Sequence, residues 1–303
     1  MPALIRQLAL VSESTQIPRG DVLKVSAAIQ KQATRDLSPI WEISATVDPF
    51  DKLEDVPTGY WTLLIKDDIQ TAGAAGIHED NSGQPFALIT ASADINEWSI
   101  TASHEALEML VDPFGNRLVA GDSPKLDQGR VSFLVEVSDP SEAPDYAYSS
   151  NGVRVSDFYT PNYFDPVKAA GVRYSYTGAI TSPRQVLKGG YLSWQDPVSN
   201  SWWQESWFDG DGPAFREIGP INQRANGNVR AVIDRSTMPH TLKALAGVRQ
   251  NAGVAGLTSA VLSKSTTAYA AMLRERTAEI LGKRNTEPPR AEVAEIRSAP
   301  SVR

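Results

Sequence analysis

The chain has 303 residues, 41% of them hydrophobic, which is long enough for one large domain or two ordinary ones. Its 29 Lys and Arg against 36 Asp and Glu give a net charge of −7, and the acidic residues are spread along the chain, so a nucleic-acid partner is disfavoured. The absence of cysteine excludes disulfides, thiolate metal ligands and a cysteine nucleophile, and leaves His, Asp and Glu as candidate metal ligands.

The N-terminal sequence does not indicate export. Residues 1–14 contain one Arg and a short apolar run, without the three-part organisation of a secretory signal. No run approaches the roughly 18 apolar residues that a membrane-spanning helix needs. We therefore expect no membrane partner and a cytoplasmic location, with a virion or another assembled particle as the alternative.

The first predicted element is a helix over residues 20–37, where apolar residues recur at helical spacing until Pro39 ends the pattern. Turn sequences rich in Pro, Gly, Asn and Asp then separate three β-rich runs. These runs are residues 41–47 (WEISATV), 60–65 (YWTLLI) and 85–90 (PFALIT). We expect them to form three strands of one sheet, with the last run at its edge.

A second helix is predicted to begin at residue 94 or 96 and to end before Pro113. It carries the sequence HEALE at residues 104–108. On a helix, residues four apart are about 40° apart around the axis and one turn apart along it, so His104 and Glu108 can bind one ion. The alternative is that these polar residues form a solvated helix face.

This motif resembles the zincin sequence His-Glu-x-x-His, with Glu108 in place of the second His. The order of a helix followed by strands before the motif helix is also similar to the zincin layout. The resemblance implies a gluzincin-like metallopeptidase in which Glu105 is the general base that activates a metal-bound water for attack on a peptide bond. The expected partner is a peptide or protein substrate that pairs with the edge strand at residues 85–90.

A third protein ligand is expected, because catalytic zinc usually has three and keeps one position for water. Glu136 resembles the downstream Glu ligand of gluzincins, and Asp139 could orient a ligand. In gluzincins that Glu lies on a helix, whereas Glu136 falls in a predicted strand over residues 131–137. Asp112 ranks second, because about 12 Å of helix rise separates it from the first His of the motif.

The ligand set bears on the identity of the ion. The zincin resemblance implies Zn²⁺ first. One His with two carboxylates places more negative charge on the ion than two His with one carboxylate, so Ca²⁺ and Mn²⁺ are alternatives, as is the absence of an ion. Tyr159 and Tyr163 are candidates for a phenol that stabilises an oxyanion, and ordinary packing explains them equally well. His78 could reach the metal or a substrate from the loop before the edge strand, although a surface position is the simpler interpretation.

The predicted fold class is α+β. A zincin-like mixed sheet with its metal-site helix is expected over residues 1–180, followed by a β-hairpin-rich region with several Trp over 181–235, C-terminal helices over 236–282 and a flexible tail over 283–303. Within the second region, residues 189–208 predict a hairpin around a Pro-Val-Ser-Asn turn.

The C-terminal segments favour a second function. Ala-rich helices and a charged, Pro-rich tail are typical of contacts with copies of the same chain or with an assembly partner. The alternative to a peptidase is therefore a non-catalytic structural or interaction protein with a zincin-like fold, such as a subunit of a particle or a phage-type assembly.

Overall fold

The computed structural model describes residues 5–71, 74–81, 83–222 and 228–244, without the side chains of residue 81 and of residues 238–244. In this part the chain is a mixed α/β protein with two five-stranded sheets, a two-stranded sheet and few helices. Most of the predicted C-terminal helical region, and the whole predicted tail, lie outside the described residues. None of the described helices is both long enough and apolar enough to cross a membrane.

The first sheet contains the five strands nearest the N-terminus. They are β1 (Arg6–Ser12), β2 (Ala45–Phe50), β3 (Trp61–Lys66), β4 (Gly76–Asn81) and β5 (Gln84–Thr90). Their order is β2-β1-β3-β5-β4, with β1, β2, β3 and β5 parallel and β4 antiparallel to β5. The three predicted strands are confirmed as strands of one sheet, but the prediction that residues 85–90 form the edge is wrong, because β4 lies outside β5.

The interior strand β1, which lies between β2 and β3, was not predicted, and its burial explains why. Residues 8–11 read LALV and are fully buried. Leu8 and Leu10 belong to the main core, whereas Ala9 and Val11 belong to a smaller core on the opposite face of the sheet. A strand that is buried on both faces shows a continuous apolar run instead of an alternating pattern.

Two helices pack together on one side of this sheet. The predicted first helix is present as α1 (Arg19–Lys31), which continues through a π-helical segment (Gln32–Leu37) into the short α2 (Ser38–Trp41). The motif helix is α3 (Ile95–Val111), and its start is fixed by Asp94, whose Oδ1 accepts a hydrogen bond from the Asn96 amide at 2.9 Å. The later helix α4 (Val229–Ala244) follows the second sheet.

The second sheet is antiparallel and has the order β12-β11-β10-β7-β6. Its strands are β6 (Leu118–Asp122), β7 (Arg130–Leu134), β10 (Tyr191–Asp196), β11 (Ser201–Ser206) and β12 (Ala214–Gly219). The predicted hairpin is confirmed, with Trp194 of β10 opposite Trp203 of β11. Because β7 pairs with β10, strands from both sides of the predicted boundary at residues 180/181 belong to one sheet.

The motif helix is buried against the first sheet, α1 and β9 (Val153–Val155). One continuous core contains apolar side chains of the first sheet, α1, α3 and the second sheet, including Leu63, Leu107 and Phe133. The small hairpin of β8 (Tyr148–Ser150) and β9 (Val153–Val155) also packs on this region, with β9 against α3. The polar residues of the motif are therefore held inside the protein.

Candidate metal centre

The motif residues of α3 are buried. His104 is 8% exposed, Glu105 3% and Glu108 0%. The alternative of a solvated polar helix face is therefore wrong. Ionisable side chains are rarely buried to this extent unless they are paired or bind an ion.

A first group of potential ligands joins α3 to the segment after β7. Nε2 of His104 lies 3.2 Å from Oε2 of Glu108 and 3.2 Å from Oδ1 of Asp139. All three atoms lie within 4.8 Å of one another. Asp139 begins a short 3₁₀ turn (Asp139–Ser141), and the Ser138 amide before this turn donates to Oε1 of Glu108 at 3.2 Å. The turn thus orients Glu108 and also supplies Asp139, the third potential ligand of the group and its second carboxylate.

The first group has the properties of a cation site. Oε2 of Glu108 and Oδ1 of Asp139 are buried and accept no hydrogen bond from the residues that the structure describes. Oε2 of Glu108 forms ion pairs with Arg230 and His104, and Oδ1 of Asp139 forms one with His104. A divalent cation would bind both oxygens together with the imidazole in place of these ion pairs. The donor set of one nitrogen and two carboxylates fits Zn²⁺ and Mn²⁺, and leaves Ca²⁺ as a harder alternative.

The pKa values in the first group reflect burial and mutual charge. Burial opposes the charged form of His104, but Glu108 and Asp139 outweigh it and raise the pKa of His104 well above its usual value. Burial also opposes ionisation of Glu108, yet Arg230 and His104 hold the pKa of Glu108 well below its usual value. Burial and the charge of Glu108 raise the pKa of Asp139 to about 8. The group is thus a strongly coupled set of charges around one carboxylate.

A second group of potential ligands shares Glu108 with the first. Nδ1 of His78 is 3.4 Å from Oε2 of Glu105 and 3.8 Å from Oε2 of Glu108, and the ligand atoms of these three residues lie within 4.8 Å of one another. The interpretation of His78 as a surface residue in a loop is wrong, because it lies on β4 and is fully buried. The short polar sequence of β4, GIHEDN, gave too little β pattern to predict a strand.

A glycine allows this close approach of β4 and α3. A Cβ atom on Gly76 would lie 2.5 Å from Cγ2 of Thr101 and 2.7 Å from Oε1 of Glu105. Any larger residue would therefore push the helix and the strand apart. The sequence predicted neither this contact nor the position of His78 beside Glu105.

Arg230, which the sequence did not single out, is the basic residue of the centre. Its Nη1 contacts Oε2 of Glu136 and lies 2.6 Å from Oε2 of Glu108, while its Nε lies 3.1 Å from Oδ2 of Asp234. The first turn of α4 is held in place by Asn228, which accepts from the Arg230 amide at 2.8 Å and donates to the Phe114 carbonyl at 3.0 Å. Helix α4 thereby brings a buried guanidinium to carboxylates of α3.

The structure separates the two other predicted ligands from the first group. Glu136 lies beyond the end of β7 and forms an ion pair with Arg230, and Asp139, not Glu136, belongs to the first group of potential ligands. Asp112 follows α3, where its Oδ2 accepts from the Arg117 amide at 2.7 Å. Neither belongs to the ligand groups found among the described residues.

The two predicted tyrosines differ in their contacts. Their rings stack at a centroid distance of 4.3 Å, but the Tyr163 hydroxyl donates to the Gln185 carbonyl at 3.2 Å. The buried Tyr159 hydroxyl has no hydrogen-bond partner within the described part of the chain. Burial and the nearby charges of Tyr163 and Glu136 raise the pKa of Tyr159 well above its usual value, which keeps the phenol protonated. Of these two tyrosines, Tyr159 is therefore the one whose phenol has no hydrogen bond to the described residues.

This centre combines three kinds of groups that metal-dependent hydrolysis uses. They are a buried ligand set, a carboxylate beside it on the same helix, and a protonated phenol. No protein-family model matches the chain, and no curated protein and no solved structure is similar to it.

Proposed function

We propose that this chain is a metal-dependent peptidase of the zincin type whose ion is bound by His104, Glu108 and Asp139. The observation that carries the proposal is the approach of their three ligand atoms to within 4.8 Å in a buried position. Zn²⁺ is the first expectation, with Mn²⁺ and Ca²⁺ as competitors for a set that contains two carboxylates.

The charge of the surroundings supports a bound cation. The buried carboxylates of the centre belong to Glu105, Glu108, Glu136 and Asp139. Among the described residues, the guanidinium that contacts three of them is that of Arg230. Four buried carboxylates share this one guanidinium, so a divalent cation at the first group would offset negative charge that Arg230 leaves uncompensated.

The proposed reaction assigns a role to each side chain. A bound ion would lower the pKa of water and polarise the peptide carbonyl. Glu105 accepts a proton as the water oxygen forms a bond to the carbonyl carbon, and it then gives this proton to the amine as the C–N bond breaks. The Tyr159 phenol donates a hydrogen bond to the carbonyl oxygen while that oxygen is negatively charged.

The arrangement of the first sheet also supports the zincin resemblance. Helix α3 packs against β5 and β4, and β4 is the antiparallel outermost strand on that side. Zincins likewise place strands and an edge strand before the motif helix. A peptide or protein substrate would lie along this side of the sheet, although the edge is formed by β4 and not by residues 85–90.

Metal content and peptide cleavage together test this proposal. We expect about one Zn²⁺ per purified chain by elemental analysis, lost when His104 is replaced by Ala. Glu105→Gln is expected to abolish cleavage of a peptide library, whereas Glu97→Gln, an exposed residue in the first turn of the same helix, is the matched control. A protein that is free of metal after purification from zinc-supplemented medium would refute the proposal.

The buried Arg230 favours one alternative, a non-catalytic structural or interaction protein. Its guanidinium contacts Oε2 of Glu108, a proposed ligand atom, and α4 packs against β4. In this alternative the centre stabilises the fold and the C-terminal segments contact a partner. A large oligomer that is lost on removing residues 283–303, together with no cleavage by the metal-loaded protein, would select this function.

A further inference from the structure

The second ligand group has a feature that the proposed peptidase does not use. Nε2 of His78 lies 3.2 Å from the Asp112 carbonyl oxygen, which can only accept a hydrogen bond. Nε2 therefore carries the hydrogen, and in the neutral imidazole Nδ1 has the lone pair. Metal-binding histidines are commonly fixed in this way, with the second ring nitrogen donating to a backbone carbonyl.

Nδ1 of His78 faces two carboxylates. Nδ1 lies 3.4 Å from Oε2 of Glu105 and 3.8 Å from Oε2 of Glu108, and it makes no hydrogen bond with the described residues. Oε2 of Glu105 is also buried and without a hydrogen bond there. With a neutral imidazole these three atoms are all electron-rich and repel one another, and a cation bound among them would remove the repulsion.

Arg230 contacts the same carboxylate oxygens from the side of α4. Its Nη1 lies 2.6 Å from Oε2 of Glu108, and its Nη2 lies 3.7 Å from Oε2 of Glu105. A guanidinium satisfies carboxylates but leaves the His78 lone pair unused. A divalent cation in this position would be bound by all three residues.

We propose that His78, Glu105 and Glu108 form a second divalent-cation site, and that Arg230 competes with the ion for it. This site goes beyond the single ion of the proposed function, and Glu108 belongs to both ligand groups. An ion at the second site would use the Glu105 oxygen that the proposed reaction needs as a proton acceptor. By competing with this ion, Arg230 keeps Glu105 available as the proton acceptor. An ion that displaces Arg230 would therefore inhibit peptide cleavage.

Titration of the full-length protein with Mn²⁺ tests the second site directly. We expect one tight binding step at the first group and a weaker step that is lost in His78→Ala. Two Mn²⁺ ions in neighbouring sites also broaden each other's electron paramagnetic resonance signal. We expect this broadening only at Mn²⁺ concentrations high enough to fill the weaker site. Retention of the weaker step in His78→Ala, or its absence from the wild type, would overturn the proposal.

Changing the charge at residue 230 tests the competition. In Arg230→Met the weaker step is expected to become tighter by about 10-fold or more. Arg230→Lys retains a positive charge, so the Mn²⁺ affinity of the second site is expected to stay low in this variant. Because Arg230→Met leaves Glu136 without its ion pair, the double variant Arg230→Gln/Glu136→Gln removes both charges and is expected to show the same gain.

The two proposals fail in different ways. If the wild-type protein shows the His78-dependent binding step but no tight step, the metal site of the proposed peptidase is refuted and the second site is supported. If the wild-type protein instead shows only the tight step and cleaves peptides, and substitutions at residues 78 and 230 change neither, the second site alone is refuted.

Discussion

Nε2 of His104 lies 3.2 Å from Oδ1 of Asp139, although one residue belongs to α3 and the other to the turn after β7. This contact makes Asp139 the third ligand of the proposed ion, in place of Glu136. Asp139→Asn is expected to lower Zn²⁺ affinity by more than about 100-fold, the upper range for residues that only support ligands.

Glu136→Gln is the matched control for this prediction, because Glu136 is also buried but contacts Arg230 instead of His104. It is expected to change Zn²⁺ affinity by less than Asp139→Asn does. Competition with a chromophoric chelator measures both affinities. An equal or larger loss in Glu136→Gln would restore Glu136 as the ligand.

Gly76 sets the distance between β4 and α3. In Gly76→Ala the new methyl group would overlap Thr101 and Glu105, and we expect the free energy of unfolding to fall by about 1–3 kcal/mol. Gly20→Ala is the control, since a Cβ atom there meets nothing within 4 Å and Gly20 lies in α1. Urea unfolding should show a loss for the first variant and no loss for the second.

The two stacked tyrosines are expected to respond differently to loss of the hydroxyl. Tyr159→Phe removes a buried group without a hydrogen bond to the described residues, so stability should be unchanged or higher. Tyr163→Phe leaves the Gln185 carbonyl without its donor and should cost about 1–3 kcal/mol. Thermal unfolding of both variants measures this difference, and a clear loss in Tyr159→Phe would indicate an unrecognised partner of that phenol.

Asp36 gives a prediction for pH dependence that is independent of the metal. Its carboxylate accepts hydrogen bonds from the Tyr148 and Tyr176 hydroxyls at 2.8 and 2.7 Å. Burial opposes its ionisation, but the hydrogen bonds from Arg35 and the two tyrosines outweigh burial and lower the pKa of Asp36 below its usual value. The folded state therefore favours the carboxylate, and this stability is present above the unfolded pKa of about 4 and is lost as pH falls through the lower folded pKa.

We expect Asp36→Asn to lower the free energy of unfolding at pH 7 by about 1–3 kcal/mol. The difference from the wild type should shrink as pH falls below about 4, where the wild-type carboxylate becomes protonated. Urea unfolding with a chelator present, at several pH values between neutral and acidic, measures it. A difference that does not change with pH would contradict the role given to the charge of Asp36.

Local periodicity predicted those elements that have one polar side or clear turn signals. The motif helix, the first helix and the tryptophan hairpin are of this kind. Strand β1 was not predicted because it is buried on both faces, and β4 was not predicted because it is short and polar. As a result, the prediction lacked the strand between β2 and β3 and assigned the edge beside α3 to β5 instead of β4.

Within the candidate site, sequence spacing predicted only the residues on α3. His104, Glu105 and Glu108 follow from helix geometry, because a four-residue spacing places the first and last of them together. His78 and Arg230 reach the centre from β4 and α4, and no local pattern connects them with the motif. Their positions depend on strand order and on helix packing between distant segments.

The position of Arg230 in the chain has a consequence for biosynthesis. The carboxylates of α3 are made long before residue 230 leaves the ribosome, and so is the Glu136 carboxylate. Until α4 emerges, a nascent chain that folds around α3 lacks the guanidinium that contacts Glu108 and Glu136. A metal ion bound at the first group in this interval would supply positive charge in place of Arg230, so we expect metal supply during translation to affect the yield of folded protein.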